Sequence, residues 1–198
     1  VPDQPIRELG DLRALKVLAH PLRNQVFEHL RLHGPATSAS LARDLDVNTG
    51  ATSYALRMLA SHGFVEEVPE RGRGRERWWQ AVRRDYRLPP PGQRDPAQRA
   101  MVDEMQRLGL AADLDMLAAF QQQRPAMGEW ADATPFSRSS IRVTLAELEE
   151  FFEEYLALVR RYMRTDEEAP EGSRTVVTRL LAFPAPDTEG DGDEPPSG

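Results

Sequence analysis

Apolar side chains change their spacing once within the first ninety residues, from helical to alternating, and this change restricts the fold most. Leu12, Leu15, Val17 and Leu18 form one helix-spaced set, and Leu22, Val26, Phe27 and Leu30 a second. Leu41, Ala42 and Leu45 form a third set, and Tyr54, Leu56, Leu59 and Ala60 a fourth. The breaks between them carry the right chemistry. Pro21 suits a first helical turn, Gly34-Pro35 a stop, Thr37 or Ser38 a cap, and Gly63 a left-handed close. After Gly63, Phe64–Val68 and Glu76–Val82 read as strands joined by Arg71-Gly72-Arg73-Gly74-Arg75, whose glycines offer the positive φ of a hairpin tip. Helices followed by a hairpin are the plan of a winged helix. The fold class is therefore mainly α with a small β wing.

Leu88-Pro89-Pro90-Pro91-Gly92 reads as a stiff, extended linker. It divides the chain into a winged helix at 1–88, a linker at 89–95, a dimerisation and effector region at 96–183, and a disordered acidic tail at 184–198. The third segment is expected to be helical α+β. Long helices are predicted over 96–123 and 145–164, the second opened by a Thr144/Glu147 capping box. Ile141–Val143 and Thr175–Phe183 are short strand candidates.

A net charge of −7 conceals a strong segregation. Residues 1–88 hold 14 basic against 11 acidic residues, and the remaining 110 hold 11 against 21. Contact with a polyanion follows the local potential, which favours the first part. With no cysteine in the chain, disulfides and thiolate metal sites are excluded. No glycine-rich phosphate loop or nucleophile motif points to an enzyme. His29 and His33 have a zinc-compatible spacing, but a third ligand would have to be a distant carboxylate. Neither a metal nor a cofactor is expected. Without a membrane-length apolar run or a secretory leader at the N-terminus, the chain reads as soluble, cytoplasmic and nucleoid-associated.

A helix that enters the major groove needs a small, polar outer face and an apolar inner one. Residues 48–58 answer that description. Asn48, Thr49, Thr52, Ser53, Tyr54 and Arg57 are the candidate DNA contacts, with Leu56 and Leu59 as anchors. Arg71, Arg73 and Arg75 join them from the wing, within a run of seven arginines in 17 residues. If three to five of these reach phosphates, log affinity should fall with log salt at a slope of about −3 to −5 per protomer.

The segments LAHPLRNQVFEHL at 18–30, SLARDLDVNTGATSYALRMLASHGFVEEV at 40–68 and GRERWWQAV at 74–82 together resemble the ArsR-type winged helix of bacterial repressors. The similarity is to the actinobacterial branch with a C-terminal helical extension. It implies a homodimer on double-stranded DNA, with the residues named above at the contact. Many relatives carry His where this chain has Ala55, which would remove one DNA contact, and the cysteines of the metal-sensing members are absent from 37–45. Past the linker, Phe120, Trp130, Phe136, Phe151, Phe152 and Tyr155 are candidates to line an apolar effector pocket or to form a small core. The expected function is a dimeric, sequence-specific repressor relieved by a small molecule. The alternatives are a winged helix that holds a protein partner, and a small-molecule carrier or enzyme built on the aromatic cluster.

Overall fold

A computed structural model describes residues 7–72, 76–82, 84, 86–132, 135, 137–164 and 168–186. The chain divides into two units, residues 1–164 and 165–198. In the first, the elements follow the order β1 (Arg7–Glu8), α1 (Leu12–Leu18), α2 (Pro21–His33), β2 (Ala36–Thr37), α3 (Ser38–Asp44) and α4 (Thr49–Ser61). After these come β3 (Val65–Glu67), β4 (Trp78–Ala81), β5 (Tyr86–Arg87), α5 (Pro96–Gln123) and α6 (Leu145–Arg160).

Local chemistry explains the helix ends. Thr37 and Ser40 bond reciprocally across the first turn of α3, and Asp95 with Gln98 and Thr144 with Glu147 do the same for α5 and α6. Asn48 caps α4 by accepting the Ala51 N–H at 2.8 Å. Pro21 occupies the first turn of α2, where its missing N–H costs little. Gly63 closes α4 at φ 67°, a conformation a Cβ would strain.

The apolar faces of α1–α4 meet in one core, in which Leu15, Val26, Leu30, Leu41, Leu56, Leu59 and Phe64 are buried. Strands β2, β4 and β3 form an antiparallel sheet with β4 in the middle, so that Trp79 pairs with Ala36 on one side and Glu67 on the other. A second pair, β1 with β5, runs parallel. It brings Tyr86 against Phe27 and Phe64, with ring centroids 6.0 and 5.4 Å away. Arg7 covers the same cluster, its guanidinium 5.2 Å from the Phe64 ring and hydrogen-bonded to the His62 carbonyl.

Several sequence expectations change here. The proline segment is folded into a tight turn over Pro91–Gln93, with the Gln93 N–H on the Pro90 carbonyl, instead of running extended. The turn aims the start of α5 back at the winged helix, where Val102 is buried and Met101 and Met105 pack on the core. Gln98 fastens this contact by donating to the Gly10 carbonyl at 2.7 Å. Ile141–Val143 and Thr175–Phe183 are not strands. Among the described residues none follows β5, because neither segment finds a ladder partner within the chain and an unpaired strand has no stability of its own.

Gly72 also differs from expectation. Its φ is −68°, so it supplies no left-handed turn. A Cβ there would instead lie 3.1 Å from the Glu76 carbonyl oxygen, so the glycine serves a close backbone approach at the root of the wing. In the second unit, residues 168–186 form neither helix nor strand, apart from a turn at Gly172 with the Ser173 N–H on the Pro170 carbonyl. No described helix is long and apolar enough to cross a membrane.

Candidate nucleic-acid interface

Helices α3 and α4 are joined by the turn Leu45-Asp46-Val47, in which Asp46 adopts φ 53°. Aspartate tolerates this region better than most side chains. The turn sets α4 across α3 with Ala55, Leu56 and Leu59 facing inward. Thr52 belongs to that inner face as well. It is fully buried, and its hydroxyl donates to the Ser38 carbonyl at 2.8 Å and shares the Thr49 carbonyl at 3.0 Å. Thr52 is therefore removed from the DNA contacts: its hydroxyl ties α4 to the start of α3.

Ala55 is buried on the same inner face. The signal was present in the sequence. Thr52, Leu56 and Leu59 stand at i, i+4 and i+7, a single helical stripe.

The outward face of α4 carries the other candidates. Asn48 and Thr49 are exposed at its start, although the Asn48 side chain is engaged in capping. Ser53 is half-buried, Tyr54 is 56% exposed, and Arg57 is exposed with its guanidinium 6.0 Å from the Tyr54 ring. Across from this face stands β4. Between them lies an open cleft lined by Ser38, Ser53, Arg57, Glu76, Arg77 and Trp79. Arg77, one of the arginine run but not among the chosen contacts, thus shares a cleft with Arg57. It also holds Glu67 at 3.3 Å.

Arg71 is exposed at the root of the wing, its guanidinium 6.0 Å from the Trp78 ring. Arg73 and Arg75 lie outside the described residues. The arrangement presents hydroxyls, an aromatic edge and the Arg57 guanidinium on one helix face, with a β hairpin that carries Arg71 and Arg77 at its side. Chemically it can donate hydrogen bonds to phosphates and base edges.

The proposed effector residues are placed differently. Phe120 and Tyr155 are half-buried, while Trp130, Phe151 and Phe152 are exposed on the single chain; Phe136 lies outside the described residues. Near the α2–α3 junction, His29 Nε2 sits 3.3 Å from Asp44 Oδ2 and its ring contacts His33 at 4.6 Å. Among the described residues, no group of three or more His, Asp or Glu side chains is arranged to hold a metal ion.

Residues 18–68 match a family model described as a helix-turn-helix domain, so α2 to β3 carry that domain. The first two segments that resemble the ArsR type, 18–30 and 40–68, fall within this range. No curated protein matches the chain. Among solved structures, it is similar to a "Possible transcriptional regulator for arsenical resistance" at 27% identity, covering 54% of this chain and 93% of the other, with a TM-score of 0.31. ZitR of Lactococcus lactis in complex with DNA is 14% identical, with 74% of each chain covered and a TM-score of 0.28. A mutant of MarR from E. coli is 15% identical over 74% of this chain and 85% of that one, with a TM-score of 0.31. Each of these likenesses covers only part of this chain.

Proposed function

We propose that this chain is a sequence-specific DNA-binding transcriptional regulator that acts as a homodimeric repressor of the ArsR type. One observation carries the reading: a helix-turn-helix whose second helix turns Thr49, Ser53, Tyr54 and Arg57 outward, has no carboxylate along its length, and lies beside an arginine-bearing hairpin. A polyanion is the partner that such a face suits. The helical extension supplies the dimer. Leu110, Leu114 and Leu117 form an exposed stripe on α5, 49%, 60% and 49% exposed, at the spacing by which helices pair. A second copy covers that stripe and the exposed aromatics of α6. Phe120, Trp130, Phe151, Phe152 and Tyr155 then become enclosed, and an apolar ligand lodged among them relieves repression.

The test is titration of the purified protein against the DNA upstream of its own gene and against a scrambled duplex, at 50 and 200 mM salt. The reading expects tighter binding to the upstream duplex and a loss of affinity with salt. Equal, weak binding to both duplexes and to a pool of random duplexes would favour a winged helix that holds a protein partner instead.

A further inference from the structure

We propose that Tyr54 and Arg57 form a two-residue base reader that selects a guanine and, on the adjoining base pair, a thymine in each half-site. The inference rests on the DNA-binding reading above and specifies what that helix face recognises.

Two side chains of α4 remain once the others are accounted for. The Asn48 side chain is held close to the backbone by its Oδ1 in the cap, Gly50 has no side chain, and Thr52 and Ala55 are buried. Ser53 is short and half-buried. Beyond the first turn, Tyr54 and Arg57 are the side chains on the outward face that are long enough to reach base edges.

Arg57 lies near the Tyr54 ring and donates through Nε to the Ser53 carbonyl at 3.3 Å; no carboxylate among the described residues pairs with it. Several other arginines are paired with carboxylates, among them Arg31 with Glu28, Arg77 with Glu67, Arg87 with Glu153 and Arg107 with Glu104. The ring beside it and the backbone contact limit the rotamers of Arg57, so less freedom is lost when its fork meets a base. A guanidinium fork matches guanine, which offers O6 and N7 side by side in the major groove. Tyr54 lies three residues earlier, about 4.5 Å along the helix axis. That offset is close to one base-pair step, and the apolar ring edge there meets the C5-methyl group of a thymine.

The experiment is selection of duplexes from a random pool by the full chain and by four variants, followed by titration of the selected site. Wild type should enrich one guanine with a neighbouring thymine per half-site. Replacing that guanine by 7-deazaguanine should weaken wild-type binding about tenfold or more. Arg57→Ala should lose the guanine preference and become indifferent to the deaza base. Arg57→Met, which keeps much of the length but carries no donor, should likewise lose the preference. Tyr54→Phe should behave as wild type, whereas Tyr54→Ala should lose discrimination between thymine and uracil and weaken the guanine preference.

An Arg57→Met protein that still selects the same guanine overturns the proposal while leaving specific DNA binding intact. So does uniform weakening of all duplexes by Arg57→Ala. A wild-type chain that enriches no sequence overturns both this inference and the reading beneath it.

Discussion

At the scale of single residues, the face a side chain occupies on α4 decides its role, and Thr52 and Arg57 show the contrast. A hydroxyl four residues before Leu56 looks available to DNA when only residue type is considered. The structure commits it to the Ser38 carbonyl in the core. Thr52→Val keeps the shape and removes the donor that ties α4 to the start of α3. We expect a loss of about 0.5–1.5 kcal/mol in a denaturant titration, with the DNA affinity of the folded protein unchanged. A Thr52→Val protein that is fully stable but weak on DNA would return Thr52 to the contact surface. Ser53, Tyr54 and Arg57 were legible because they lie off the Leu56–Leu59 stripe. The inward placement of Thr52 was equally legible from that stripe, but a preference for hydroxyls obscured it. The cleft that joins Arg57 to Arg77 could not be read, because it depends on how β4 crosses in front of α4.

At the scale of elements, helices with a full apolar stripe and a capping residue announced themselves, and α5 begins and ends where its spacing predicts. Strands of two residues have no period to read, which is why β1 and β2 were invisible and exist only through their partners β5 and β4. The opposite error arose at Ile141–Val143, where strand-forming residues find no partner. The junction of α2 and α3 carries a pH dependence of its own. Burial, and then the neighbouring His33, hold the His29 pKa below its ordinary 6.5, against the upward pull of Asp44. Asp44 also lies 3.7 Å from Arg43. The fold thus favours the neutral imidazole. This contribution is complete above the unfolded pKa and is lost as pH falls below about 6.5 toward the lowered value. We expect the urea midpoint of wild type to fall between pH 7.5 and 5.5 by more than that of His29→Leu. Parallel pH profiles for the two proteins would remove His29 from the account.

At the scale of the whole molecule, charge is divided along the sequence, with basic residues gathered toward the wing and acidic ones beyond it. What composition did not show is that α5 serves both parts. Its first turns complete the winged-helix core through Val102, and its later turns leave Leu110, Leu114 and Leu117 at the surface. If the proposed dimer pairs through this stripe, Leu114→Glu should give a monomer by light scattering, without unfolding residues 7–87, and should weaken binding to a two-half-site duplex far more than to a single half-site. An unchanged mass would remove this stripe from the dimer interface. The central claim, that α4 and the wing form a DNA-binding face, is tested most directly by the affinity of the Arg57→Glu, Arg71→Glu double variant for a selected duplex, with its mass and helical content measured alongside. The account predicts a loss of about a hundredfold or more, since several phosphate or base contacts turn repulsive, with mass and helicity as in wild type. Wild-type affinity in the folded double variant would contradict it.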